Sequence, residues 1–521
     1  MNQKFRLLFS GMLLFTLTAT LAQEKPGKEQ EKISNKAPET QYHQADNNQW
    51  AKYDPPKSVT KHSVTINGKS INYTATVGYT ILHDESGKAL GKIFSIAYTK
   101  DGEADAAKRP VTFAYNGGPG SASLWVHMGA LGPRRIRMQD SGEAEEPPYT
   151  VIDNEYSWLD KTDLVFIDPV ETGYSRPAEG IDKKIFTGYE EDIQSVGDFI
   201  RLWTSRNGRW GSQKFLAGES YGTTRSAGLS GYLSDRYGYY LNGIVLISSI
   251  LNFQTAQFNV GNDLPYPLFL PTYAAIAWYH KKIDPKYKDL KTFLKEVEAF
   301  SLGEYSTALM KGDKLSDSEV DNLATKLSAY TGLSKQYIIN SNLRVVIFRF
   351  VRELRRNDGL VVGRLDGRLT GYEYDNVAER GTSDPSNNEI TGPYAMALNS
   401  YVKKELNYEN DLPYEVLSGF RVRPWNYNNV QNQYLNVAET LRTAMTKNPS
   451  LKVTVLNGYY DLATPYFATQ YTFDHMYLPK ELQKNITMSF YEAGHMMYIH
   501  KPSLVDMKKN VGAFYDSFQS K

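Results

Sequence analysis

Cysteine is absent from all 521 residues, which excludes disulfides, a thiolate nucleophile, thiolate metal sites and a cysteine-linked lipid. Stability must come from packing alone. Net charge is missing too: 59 basic residues face 58 acidic ones, so no bulk field draws in nucleic acid, and partners must be sought in local sites. Beyond the first residues, no apolar run is long enough to span a bilayer. What remains is an ordinary globular composition, 41% hydrophobic and 22% charged. The length exceeds what one core usually serves, so one large domain with an insertion, or two domains, is expected.

The long apolar stretch stands at the start. Lys4 and Arg6 precede the run from Leu7 to Leu21, and Thr20-Leu21-Ala22 offers small residues for cleavage before Gln23. Residues 1–22 therefore read as a secretory signal peptide. A membrane anchor is the alternative, but the run is short and is interrupted by Ser10, Gly11 and several threonines, so no anchor is expected after cleavage. An exported protein of this size without a disulfide points to a bacterial periplasmic or extracellular product. Residues 23–57, rich in Lys, Glu, Gln, Asn and Pro and without periodicity, are expected to form a disordered linker.

From Ser58 to Thr99, short alternating runs are punctuated by NGK, DESGK and KDG, which predicts antiparallel hairpins. The pattern then changes to continuous β-branched runs: VTFAY (111–115), DLVFID (163–168), KFLAG (214–218), NGIVLIS (242–248), LKVTVLN (451–457) and ITMSFY (486–491). Such runs alternating with helices imply an α/β fold with a mostly parallel sheet covered on both faces. Between 252 and 424 helical periodicity takes over, as in LKTFLKEVEAF and DSEVDNLATKLSAYT. This segment is expected to be a mainly helical cap inserted between an N-terminal core part (58–251) and a C-terminal core part (425–521).

The chemistry centres on Gly218-Glu219-Ser220-Tyr221-Gly222, set between a strand and a helix. A Gly-x-Ser-x-Gly pattern acquires meaning in that context, because a sharp strand-to-helix turn needs small neighbours and lifts the serine hydroxyl out of the sheet. An ordinary glycine-rich βα turn is the plain alternative. A serine hydroxyl is a weak nucleophile, so a histidine must take its proton and a carboxylate must hold the histidine's tautomer. Downstream lie His280, His475, His495 and His500. His280 falls in the cap, His475 in a helical segment and His500 beyond the last strand, whereas His495 follows the C-terminal end of that strand, where open α/β sheets place their sites. Asp461, just past LKVTVLN, is the candidate acid. Asp474 lies deeper in the next helix, and a helix-capping role for Asp461 is the competing reading. Two backbone amides must meet a tetrahedral oxyanion. Tyr221 offers one and Gly118 the other, in the loop Asn116-Gly117-Gly118-Pro119-Gly120-Ser121, where bare backbone can approach a ligand. A phosphate loop is disfavoured by the lack of a Lys and Ser/Thr pair at the required spacing. No metal and no cofactor is called for.

Taken in order, NGGPGSAS, FIDPVETGYSRP, GESYG, GYYDLATP and AGHMMY resemble the serine carboxypeptidases of the α/β-hydrolase superfamily, from about residue 60 to the C-terminus and most weakly in the cap. The resemblance implies an α/β-hydrolase fold and an exopeptidase acting on peptide or protein C-termini. It also implies that Asn116 and Glu219 bind the substrate's terminal carboxylate, with Glu219 protonated and its pKa raised by like charge. It places Glu171 and Tyr174 at the border of the substrate pocket, where an acid would suit a basic side chain, a solvated loop acid being the alternative. Ser121 and Gly222 depart from the residues common in that family, and disulfide-stapled caps are impossible here. An esterase or acyltransferase with the same triad, and a catalytically silent binding protein on the same scaffold, are the rival functions.

Overall fold

The computed structural model describes residues 54–519, so the expected signal peptide and residues 23–53 of the expected linker lie outside the described residues. Alternating side chains organise the first strands, Ser58–Ile66 (β1), Lys69–His83 (β2) and Ala89–Lys100 (β3), which pair antiparallel. The β1–β2 turn is Asn67-Gly68, both at positive φ (49° and 73°), the conformation that lets a two-residue turn follow the twist of its strands.

The unbroken apolar runs form Val111–Tyr115 (β4), Asp163–Ile167 (β5), Lys214–Ser220 (β6), Gly243–Ser249 (β7), Lys452–Gly458 (β8) and Ile486–Tyr491 (β9). Strand order is β1-β2-β3-β5-β4-β6-β7-β8-β9, with Arg176–Pro177 pairing beside β3 as a tenth strand. β3 meets β5 antiparallel, and every pairing from β5 to β9 is parallel. The inner strands are buried on both faces, as a parallel sheet between helical layers requires. β9 departs from its expected burial. It is the sheet edge and is mostly half-exposed, despite its apolar sequence.

Helices Tyr189–Arg206 (α1), Tyr221–Tyr237 (α2) and Ala438–Lys447 (α7) cover one face through residues such as Phe199, Leu233 and Leu441. On the other face Lys501–Asp516 (α9) contributes Met507 and Val511. The segment between β7 and β8 is divided between two cores. Pro265–Tyr279 (α3), Leu290–Phe300 (α4) and Asp317–Thr331 (α5) build a separate cluster with Tyr460, Tyr466 and Phe467, the last two from Tyr466–Asp474 (α8). Pro385–Lys404 (α6) instead packs Ile390, Tyr394, Leu398 and Tyr401 into the main core beside β2 and β3. The last stretch of the insertion runs back over the sheet, bridging Gly173 to Glu415 and Ser121 to Leu417. Among the described residues, no helix is long and apolar enough to cross a membrane.

Candidate active site

The turn between β6 and α2 holds Ser220 at φ 60° and ψ −129°, a conformation that a non-glycine residue keeps only where its surroundings impose it. A Cβ on Gly218 would overlap the Gly222 carbonyl and the Ser226 hydroxyl, and one on Gly117 would overlap the Tyr221 amide. Gly218 therefore lets the strand turn tightly into α2, and Gly117 lets the 116–120 loop ride directly against its start. There the Tyr221 amide heads a helix whose first N–H groups have no intrahelical acceptor, and Gly118 lines the same cleft as Ser220.

A buried ion pair secures this junction. Arg225 on α2 meets Asp192 on α1 at 2.7 Å, both almost fully buried. Arg225 Nη1 also donates to the Asn116 carbonyl (2.6 Å), and its guanidinium stacks over Tyr115 and Tyr221 at 5.1 and 5.6 Å. One cation thus ties two helices to the glycine loop. The sequence signal was an arginine inside the otherwise small-residue helix YGTTRSAGLSG.

His495 lies after β9 with its Nδ1 2.7 Å from Asp461 Oδ2, both buried. The other Asp461 oxygen accepts the amides of Ala463 (2.7 Å) and Thr464 (3.1 Å), while the Thr464 hydroxyl donates to Oδ2 (2.7 Å). Asp461 therefore organises the turn before α8 and faces the histidine at once. The His495 backbone is clamped as well: its amide donates to the Leu365 carbonyl (2.6 Å), its carbonyl accepts from Ser248 Oγ (2.6 Å), and the Gly494 amide donates to Asp366 (3.1 Å). Burial opposes a charge on the ring, but the Asp461 carboxylate outweighs it by charge and hydrogen bond. With Glu219 adding to the attraction and Arg364 pulling back, the His495 pKa lies above its usual value. The other histidines downstream of Ser220 are engaged elsewhere: His280 with the Gly367 carbonyl, His475 with the Tyr471 carbonyl and His500 with Ser503. Asp474 ends α8.

Glu219 is buried. Asn116 Nδ2 donates to one of its oxygens (3.0 Å) and the Tyr498 hydroxyl to the other (2.5 Å). The Val126 amide donates to Asn116 Oδ1 (3.1 Å), which turns the Nδ2 side toward Glu219. Burial is the main force on this carboxyl and pushes its pKa up to about 7; Asp461 adds to the rise, while His495 and the donors Tyr498 and Asn116 oppose it. The resemblance anticipated a raised pKa from like charge; burial proves the larger cause. Tyr498, within the AGHMMY motif three residues past His495, was not singled out from the sequence.

Asn116, Gly118, Glu219, Ser220 and His495 line one open cleft of about 490 Å³, within the usual range for ligand sites. Glu171 and Tyr174 do not line it. Glu171, at φ 72°, turns inward, is 4% exposed and lies 2.8 Å from the Arg421 guanidinium. It is neither a pocket acid nor a solvated one. Tyr174 packs edge-on against Phe94 and Tyr414, with centroids 5.1 and 5.0 Å apart. Among the described residues, no group of three or more acidic or histidine side chains could hold a metal ion.

A family model described as serine carboxypeptidase matches residues 67–511. Carboxypeptidase Y of Saccharomyces cerevisiae is 30% identical over 213 residues, 39% of this chain and 33% of that relative. P-(S)-hydroxymandelonitrile lyase of Sorghum bicolor is 30% identical over 146 residues, 27% of this chain and 26% of that relative. The chain thus spans about a third or less of the length of the curated relatives it matches. Among solved structures, a prohormone-processing carboxypeptidase of Saccharomyces cerevisiae superposes with a TM-score of 0.54 at 17% identity, covering 84% of this chain and 91% of that one. At that identity the likeness speaks for the fold, an α/β-hydrolase.

Proposed function

The chain belongs to the serine carboxypeptidase family, and from that premise we propose that it is an exported exopeptidase that removes C-terminal residues through an acyl-enzyme. Ser220 Oγ attacks the scissile carbonyl and passes its proton to His495 Nε2, while Asp461 accepts the Nδ1 hydrogen bond and favours the imidazolium. The Gly118 and Tyr221 amides receive the oxyanion. His495 then protonates the departing amine, and a water molecule activated by the same histidine releases the shortened peptide.

The observation that carries the exopeptidase reading is the buried Glu219–Asn116 pair beside Ser220. An ionised carboxyl there would repel a substrate carboxylate, whereas a protonated one donates to it, and a pKa near 7 makes the protonated form accessible. Asn116 Nδ2 supplies a second donor. The substrate's terminal carboxylate would thereby set which peptide bond meets Ser220.

The test compares peptides with their C-terminally amidated and ester analogues in wild type, Asn116→Ala and Glu219→Ala. Loss confined to the free-carboxylate peptides supports the assignment. Ester cleavage with no trimming of any peptide by the wild type would instead favour the esterase or acyltransferase reading. Export follows from residues 1–22 and is tested by the N-terminal sequence of the protein recovered from culture medium or periplasm.

A further inference from the structure

The cleft that holds Ser220 is lined by two arginines, Arg364 and Arg423, and by a single acid, Glu219. Among the described residues neither guanidinium has a carboxylate within ion-pair distance or a hydrogen bond of its own. Neighbouring arginines differ. Arg421, two positions before Arg423, is matched by Glu171 and Glu415, and Arg368, four positions after Arg364, is matched by Asp366. Two acids close to Arg364, Asp384 and Asp366, are committed elsewhere. Asp384 accepts the Arg364 backbone amide and the Ser386 amide and hydroxyl, while Asp366 holds Arg368 and the Gly494 amide. With Glu219 protonated, the cleft presents two uncompensated cations and no anion.

We infer that these arginines select substrates with an acidic side chain in the last two residues, so that the preferred peptides end in Asp or Glu. The inference rests on the exopeptidase reading and deepens it. Arg364 neighbours the base: the Leu365 carbonyl accepts the His495 amide at 2.6 Å, and the Arg364 charge acts on the imidazole. Because His495 delivers its proton to the departing amine, Arg364 stands on the side of the departing residue. Arg423 belongs to a second stretch of the wall, the 417–423 strap that packs over Gly120 and bridges to Ser121. A guanidinium offers a planar fork matched to a carboxylate, and it stays charged at every pH at which the enzyme would work. The charge on this wall is opposite to what an acid at Glu171 would have provided, because Glu171 is turned away and neutralised by Arg421.

The experiment uses three N-blocked peptides identical except for Glu, Gln or Lys in the last two positions, together with the matching esters. Rates are measured at pH 6 on wild type, Arg364→Gln, Arg423→Gln and Arg364→Glu. The expected wild-type order is Glu over Gln over Lys, with about a tenfold step in kcat/KM between Glu and Gln that shrinks as salt is raised. Each single Gln variant should reduce the Glu-to-Gln ratio, and Arg364→Glu should bring Lys above Glu. Equal wild-type rates for Glu and Gln would overturn the inference while leaving the exopeptidase reading intact. So would a loss in Arg364→Gln that falls equally on all three peptides, since that arginine would then read the terminal carboxylate common to them. If only the esters are cleaved, the exopeptidase reading fails and the charge order is read on the ester series. If a variant does not fold, the salt dependence of the wild-type order decides.

Discussion

The Tyr498 hydroxyl donates to Glu219 across 2.5 Å, and its ring occupies space that exists only because residue 129 is glycine, since a Cβ there would overlap the ring. The buried carboxyl in the cleft is thus propped by a residue from the segment that carries His495.

Removing that hydroxyl takes a donor from the ionised form of Glu219. Tyr498→Phe should raise the Glu219 pKa further, moving the alkaline fall of kcat/KM for peptides upward by about one pH unit. Ester hydrolysis should keep its profile. A role confined to packing would leave both profiles in place. Gly129→Ala, which forces the ring aside, should cost about 1–3 kcal/mol of stability in chemical denaturation.

The pH dependence has two limbs. In the proposed mechanism activity on any substrate needs neutral His495, whose pKa, against the pull of burial, is raised by Asp461, so rates should climb with pH through a value above that of a free imidazole. In that mechanism a free carboxylate binds to protonated Glu219, so peptide kcat/KM should decline as pH passes about 7. The result is an acid-shifted maximum for peptides and a plateau for esters, read from initial-rate profiles. Superimposable profiles would remove Glu219 from substrate binding.

The same carboxyl affects stability. Its folded pKa lies above the unfolded value, so the folded state holds the proton more tightly. That contribution is complete below about pH 4.5 and is lost as pH rises through about 7. Glu219→Gln should therefore gain stability relative to wild type at pH 8, by up to ~3 kcal/mol, with no such gain at pH 4. Thermal unfolding at the two pH values reads the difference.

For the proposed triad, Ser220→Ala should abolish labelling by a phosphonate and reduce kcat about 10⁶-fold. Asp461→Asn should lower kcat about 10⁴-fold by favouring the wrong tautomer of His495. Intact folding, checked by circular dichroism, separates these effects from collapse of the Asp461 turn.

The Arg225–Asp192 pair gives a stability prediction remote from the chemistry. Arg225→Met leaves Asp192 buried without a counter-charge and should cost about 3–5 kcal/mol. Replacing both by apolar residues should cost less than either single change, which a double-mutant cycle in urea would measure.

Much of this was legible beforehand for identifiable reasons. The parallel strands were visible because a strand buried on both faces needs an uninterrupted apolar run, and VTFAY coincides with the fully buried β4. Ser220, Asp461 and His495 could be proposed because each follows the C-terminal end of such a strand. Strand order was not visible: β5 inserts between β3 and β4 through pairings that local periodicity does not encode. Nor was the burial of β9, since an edge strand and an inner one can share a composition. Glu171 was misplaced because its direction depends on a positive φ and on Arg421, 250 residues away. Tyr498 lies in a single 3-10 turn and Arg364 and Arg423 in irregular segments, where a side chain's heading follows from tertiary contacts.

Of the three contacts that hold the backbone at Gly494 and His495, one comes from Ser248 and two from the adjacent Leu365 and Asp366, in the segment between β7 and β8 that also carries Arg364. The part that would choose the substrate is therefore fused to the part that would move the proton. Exchanging the insertion for a relative's, as one might to retarget the enzyme, would unseat the base along with the pocket. A workable graft would have to stop short of residue 364 and resume after residue 366, so new specificities are better sought by point changes along the cleft than by swapping the cap whole.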